Sequence, residues 1–203
     1  MITLNIDDKP VELKVKKTLL NAAREMGIKI PTLCNNDFLK PYGGCRLCLV
    51  EIASVRAPDK IRLLPACTTE AENGMIVFTS TERVKEARKF IIELFLSRCP
   101  GSEEIRGMAK QLGVPVDDRN ALDVVGEYLL YRTKPLDETK CILCSLCVRA
   151  CAEVPERHAL SFSKRGVRRK VKTPYDKVAE TCIGCGSCAY VCPTNAITIE
   201  EAG

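Results

Sequence analysis

The sequence predicts an α+β chain: a small mixed-sheet domain, a helical connector and a second domain organised around cysteines. Three observations carry that expectation. Two short period-two runs precede one helical segment in the first 80 residues, two helical stretches follow that region, and a cysteine motif then occurs twice at an offset of 41 residues. The corresponding boundaries are 1–80, 81–134 and 135–203.

ITLNI (2–6) and VELKV (11–15) alternate apolar with polar residues, and DDKP between them supplies turn chemistry, so the two runs read as a hairpin. TLLNAAREMG (18–27) reads as a helix with Thr18 as N-cap and Gly27 just past its end. CLVEIA (48–53) and MIVFT (75–79) read as further strands. A strand–strand–helix opening followed by more strands suggests a small mixed sheet crossed by a helix, and the β-grasp ferredoxin fold is one such arrangement. Thr79 and Glu82 fit a capping box for a second helix, whose apolar residues Val84, Ala87, Ile91, Leu94 and Phe95 keep helical spacing. A third helix is bounded by Ser102 and Gly113.

At 203 residues and 46% apolar, the chain has enough material for one large or two small cores, which excludes bulk disorder. The net charge of +5 is a mild basic bias. Much of it falls in SKRGVRRKVK (163–172), where Gly166 suits the turn of a hairpin. A solvated hairpin is the plain reading, and a docking patch for an acidic partner the sharper one. Without interleaved aromatics it does not read as a nucleic-acid site. The N-terminus shows no basic leader with an apolar run behind it, so no secretory signal is expected. The longest apolar run, FIIELFL (90–96), is interrupted by Glu93 and is far below the roughly 20 residues that a bilayer demands. No direct membrane insertion is expected, and the expected location is the cytoplasm. Thiols stay reduced there, so thirteen cysteines point to metal or redox cofactors before disulfides.

CILCSLCVRAC (141–151) and CIGCGSCAYVC (182–192) are both Cys-x2-Cys-x2-Cys-x3-Cys. A cubane presents several iron corners, so a loop with two-residue gaps reaches three of them and a distant cysteine supplies the last. In this bacterial ferredoxin run the fourth cysteine ligates the other cluster. One [4Fe–4S] cluster is then expected on Cys141, Cys144, Cys147 and Cys192, and a second on Cys182, Cys185, Cys188 and Cys151. Zinc wants four ligands around a single centre, which this crowded run suits poorly. Near the N-terminus, Cys34, Cys45, Cys48 and Cys67 follow the logic of a [2Fe–2S] site, with two thiolates for each iron. Zinc also accepts four cysteines at such intervals. Gly43 and Gly44 let the loop ahead of Cys45 curl around a cluster. Phe38, Tyr42 and Tyr190 flank these loops as shields against water, while His158 reads as an exposed strand residue.

The combination PTLCNNDFLKPYGGCRLCLVEI, PACTT, KCILCSLCVRAC and ETCIGCGSCAYVCPTNAI resembles the N-terminal part of the large iron–sulfur subunit of NADH:quinone oxidoreductase (complex I). It is similar also to the diaphorase iron–sulfur subunits of NAD-linked and electron-bifurcating hydrogenases. The resemblance covers almost the whole chain. In that family the segment after the long helix carries a His-x3-Cys-x2-Cys-x5-Cys site for a further cluster. Here Cys99 stands in the histidine place and the three cysteines are absent, so the resemblance implies a deleted site.

The resemblance implies a non-catalytic relay of three clusters between a flavin-containing, NAD(P)H-oxidising subunit and a second redox subunit or ferredoxin. No G-x-G-x-x-G fingerprint occurs, so the nicotinamide is expected to bind elsewhere. Two alternatives stand beside this reading: a free-standing polyferredoxin carrier, and a zinc-stabilised interaction module with no redox role.

Overall fold

The computed structural model describes residues 1–116, 140–176 and 180–199; the end of the expected connector and the first residues of the expected third domain lie outside the described residues. The chain divides into two compact units, Met1–Asn35 with Pro41–Ile91, and Asn36–Lys40 with Ile92–Gly203.

In the first unit, strands β1 (Ile2–Ile6) and β2 (Lys9–Leu13) form the expected hairpin, with Ile2 opposite Leu13 and Ile6 opposite Lys9. Helix α1 (Leu19–Glu25) is capped by Thr18, whose hydroxyl accepts from the Asn21 N–H at 3.3 Å. Strands β3 (Leu49–Ser54), β4 (Ala57–Pro65) and β5 (Met75–Phe78) complete a sheet in the order β2-β1-β5-β3-β4. Only β1 and β5 run parallel; the other neighbours are antiparallel. That is the β-grasp arrangement. Alternation places Leu4 and Ile6 on the same face as Val50, Ile52 and Val77, where they meet Leu19, Leu20, Ala22 and Ala23 of α1. Cys48 and Cys67 belong to this same buried cluster. Each fully buried Leu or Ile contributes about 1.5–3 kcal/mol, so this unit has a substantial core made of side chains alone.

Helix α2 (Glu82–Arg98) differs from expectation at its start and in its buried face. The Thr81 hydroxyl accepts from the Val84 N–H at 3.2 Å and caps the helix. Thr79 is engaged by Asp7, to which its N–H and hydroxyl donate at 2.7 and 2.5 Å. The fully buried stripe is Val84, Arg88, Ile92 and Leu96, spaced four apart, whereas Ala87, Ile91, Leu94 and Phe95 are only partly buried.

The second unit holds the end of α2, helix α3 (Glu103–Gln111) and the two cysteine motifs. Ser102 caps α3, accepting from Ile105 N–H at 3.4 Å, and Gly113 follows it at φ 72°. Helices α4 (Leu146–Glu153) and α5 (Ser187–Tyr190) open at the third cysteine of each motif. The basic segment forms a hairpin of β6 (Ser161–Ser163) and β7 (Lys170–Lys172), with Gly166 in the turn and the Arg169 guanidinium 3.8 Å over the Phe162 ring. Among the described residues around the motifs, Leu39, Leu146 and Ala150 form one small apolar cluster. No helix among the described residues is long and apolar enough to cross a membrane.

Candidate functional site

Four buried thiols meet at the edge of the first core. Cys34 follows α1, Cys45 and Cys48 lie on the loop entering β3, and Cys67 follows β4. Backbone hydrogen bonds hold the last of these in place: Leu19 N–H donates to Thr69 O at 2.8 Å, Leu20 N–H to Ala66 O at 3.0 Å, and Ala66 N–H to Cys48 O at 2.9 Å. The first orphan donors of α1 are thereby satisfied by the turn that carries Cys67. Gly43 has φ 69°, and a Cβ there would stand 3.0 Å from Thr68 Cγ2, so a side chain at this position would be strained and would press on the Cys67 turn.

The Cys45 N–H donates to Cys34 Sγ at 3.2 Å. The closeness of Cys45 and Cys67 holds the Cys34 thiol well below its ordinary value and pushes their own thiols up, and Cys67 likewise brings Cys48 down. Four thiols this close together present sulfurs that an iron core binds as thiolates.

The two C-terminal motifs share one backbone course. Ser145 and Gly186, equivalent by the 41-residue offset, both have φ 71° and ψ −4°. Leu143 at φ 56° matches Gly184 at φ 68°. The first motif thus holds two side-chain-bearing residues in the left-handed region, at about 1–2 kcal/mol each. In the second motif glycine removes that cost. Cys192 lies beside the first motif: burial pushes the Cys147 thiol up to about 12, with further contributions from Cys144, Cys141 and Cys192. Cys151 lies beside the second. Burial raises Cys188, with smaller contributions from Cys151 and Cys185. Cys182 sits exposed at the head of the same loop.

The fourth cysteine of each motif accepts a backbone N–H from a later residue, Ala159 to Cys151 Sγ at 3.3 Å and Ala196 to Cys192 Sγ at 3.2 Å. The Ser187 hydroxyl lies 3.4 Å from Cys185 Sγ and helps to lower that thiol. Hydrogen bonds to sulfur are a lever on cluster potential. Motif spacing says nothing of them, because they depend on turns that follow the cysteines.

Two polar anchors brace these loops. Lys40 N–H donates to Glu153 Oε2 at 2.9 Å, Arg149 Nε donates to Glu153 Oε1 at 3.1 Å, and the Arg149 guanidinium also donates to the Lys40 carbonyl. Asn195 Nδ2 donates to Glu104 Oε1 at 2.6 Å, which joins the Cys192 turn to the start of α3. No three His, Cys, Asp or Glu side chains among the described residues close on a point as a single ion requires.

Of the expected water shields, Tyr42 lies with its ring against Gly44 of the Cys45 loop, while Phe38 and Tyr190 extend into solvent. Phe38 and Tyr190 are 84% and 85% exposed, and Tyr42 is half-exposed. His158 is exposed, but on a loop at φ 53° ahead of β6 and not on a strand. Cys99 is fully buried at the end of α2, its N–H donating to Phe95 O at 2.8 Å, and burial pushes its thiol up to about 12. After burial, the Arg98 charge lowers the Cys99 thiol and Cys141 raises it.

Fold and thiol groups together define an iron–sulfur protein with two ferredoxin-type domains: residues 1–82 match the 2Fe-2S iron-sulfur cluster binding domain, and residues 140–199 the 4Fe-4S dicluster domain. More narrowly, the chain is homologous to subunits of NADH-quinone oxidoreductases and of an NADP-reducing hydrogenase. It is 34% identical, over 97% of its length, to an NADH-quinone oxidoreductase subunit of Rhizobium meliloti. It is 32% identical, over 99% of its length, to the NADP-reducing hydrogenase subunit HndD of Solidesulfovibrio fructosivorans, and 32% over 97% to the NADPH-Fe(3+) oxidoreductase subunit alpha of Geobacter sulfurreducens. The chain spans 24%, 36% and 24% of those relatives. A chain from the crystal structure of an NAD+-reducing [NiFe]-hydrogenase in the H2-reduced state shares the fold, with TM-score 0.75 and 24% identity over all of this chain and 88% of that one. The resemblance carried by the cysteine motifs therefore holds.

Proposed function

We propose that the chain is a three-cluster electron relay in a multi-subunit NAD(P)H-linked oxidoreductase. Cys34, Cys45, Cys48 and Cys67 hold a [2Fe–2S] cluster; Cys141, Cys144, Cys147 and Cys192 hold one [4Fe–4S] cluster, and Cys182, Cys185, Cys188 and Cys151 the other. The domains are 1–80, a connector over 81–134 that retains Cys99 at a deleted site, and 135–203. Such clusters supply one-electron carriers of low potential, suited to exchange with a reduced flavin. The protein's part is to hold the thiolates, keep water from the buried set and aim N–H groups at sulfur. The partners are a flavin-containing subunit that oxidises NAD(P)H and a second redox subunit or ferredoxin, in the cytoplasm.

The observation that carries the reading is the pair of domain matches, the 2Fe-2S cluster binding domain over residues 1–82 and the 4Fe-4S dicluster domain over residues 140–199. Crossed ligation by Cys192 and Cys151 would tie the two four-thiol groups of the second domain into one fold, as a relay needs and a single-ion zinc module does not. Homology to proteins named as subunits of larger oxidoreductases favours a resident relay over a free-standing carrier.

The test is reduction of the purified, cluster-loaded chain under anaerobic conditions. NADH or NADPH alone is expected to leave the visible cluster absorbance unchanged, while dithionite bleaches it. Adding the flavoprotein partner is expected to confer bleaching by the nicotinamide. Direct reduction by NADH in flavin-free protein would overturn the assignment of nicotinamide chemistry to the partner.

A further inference from the structure

Arg88 interrupts the apolar stripe of α2. Its neighbours along that stripe, Val84 and Ile92, are fully buried, and Arg88 itself is only 6% exposed. One guanidinium nitrogen, Nη2, donates to the Leu49 carbonyl at 2.7 Å, one residue beyond Cys48. Its Nε is buried with no hydrogen-bond partner among the described residues. A buried cation is costly unless an anion faces it.

The nearby carboxylates are already engaged. Both oxygens of Asp7 accept from Thr79, at 2.7 and 2.5 Å, and Glu51 accepts from the exposed Arg83 at 3.2 Å. Burial lowers the Arg88 proton affinity, and the opposing influences are Cys48 first and Asp7 second. Through its bond to the Leu49 carbonyl the guanidinium is held one residue from Cys48 of the four-thiol group.

We propose that Arg88 is a positioning residue that sets the reduction potential of the cluster held by Cys34, Cys45, Cys48 and Cys67, its fixed positive charge favouring the reduced state. The inference rests on the [2Fe–2S] reading of that site. Reduction takes one electron from a reduced flavin or dithionite, converts one ferric iron to ferrous and makes the cluster more negative by one charge. No bond breaks and no proton moves. The guanidinium is charged before and after the step and attracts the more negative state more strongly. An arginine beside a carboxylate shifts that group's ionisation by about one to three powers of ten. A cluster spreads its charge over several atoms, so the lower end applies. Removing the charge is expected to disfavour the reduced cluster about tenfold at fixed solution potential, a midpoint about 59 mV lower for one electron.

The experiment is an anaerobic redox titration of the full chain, following the [2Fe–2S] signal by electron paramagnetic resonance. Arg88→Gln and Arg88→Met are expected to lower the midpoint by that amount, Arg88→Lys to restore most of it, and the exposed control Arg83→Gln to leave it nearly unchanged. A neutral variant with the wild-type midpoint overturns the proposal, whatever happens to its melting temperature. So does an equal shift in the lysine variant, which would make hydrogen-bond geometry the cause. Loss of the [2Fe–2S] signal in both neutral variants overturns it too, because Arg88 would then be a folding residue. A wild-type chain with no [2Fe–2S] signal is the separate failure of the site reading itself.

Discussion

Replacing Cys151 by alanine is expected to remove the cluster of the other motif, the one held by Cys182, Cys185 and Cys188. The loss should be about four irons per chain, and Cys185→Ala should lose the same four. The decisive result comes from the doubles. Cys151→Ala with Cys185→Ala still loses about four irons, because both residues serve one cluster, whereas Cys151→Ala with Cys144→Ala loses about eight. Uncrossed ligation predicts the reverse pattern. The geometry behind this is the 3.3 Å bond from Ala159 N–H to Cys151 Sγ, which fixes that sulfur at the end of α4, together with its influence on Cys188. Cys99→Ala is expected to leave every cluster signal intact, since a buried thiol pushed up to about 12 is held as an apolar side chain. Iron loss in Cys99→Ala would make Cys99 a ligand and end the deleted-site reading.

Stripping the clusters is expected to unfold the cysteine-motif region while the N-terminal sheet persists. The sheet unit has a continuous apolar core that includes Leu4, Ile6, Leu19, Leu20, Val50, Ile52 and Val77. Among the described residues of the two motifs and the segment between them, burial is limited to a few apolar side chains such as Ile142, Leu146, Ala150 and Ala159. At about 1.5–3 kcal/mol for a fully buried Leu or Ile, these cannot offset about 1–2 kcal/mol of backbone entropy for each ordered residue. Cluster binding must therefore supply folding free energy there. After anaerobic chelation of iron, amide exchange at Ala159 and Ala196 should approach that of an unfolded chain, while β1, β3 and β5 remain protected. Retained protection at both alanines would contradict this dependence on the clusters.

Most of this architecture is legible in the residues because local and global demands agree. Period-two alternation marks β1 and β2, short apolar runs mark β3 and β5, and serine or threonine caps with following glycines bound α1 and α3. Strand β4 is not legible. APDKIRLLP lies at the sheet edge with Pro58, Asp59, Lys60 and Arg62 exposed, so no alternation reports it. The start and buried face of α2 are misleading for reasons at a distance. Asp7 captures Thr79 across the sheet, and Arg88 occupies a core position that an apolar count passes over. A charged residue four positions from Val84 and from Ile92 was the available signal. Cysteine spacing, by contrast, reflects the size of an inorganic core, and it survives any detail of the surrounding turns.

Anaerobic analysis of iron, acid-labile sulfide and zinc, with spin quantitation on the same sample, tests the central claim most directly. Three clusters on twelve cysteines predict about ten irons and about ten sulfides per chain, with both [2Fe–2S] and [4Fe–4S] signals after dithionite reduction. Stoichiometric zinc in a colourless protein, or a single cluster type in the reduced spectrum, would contradict it.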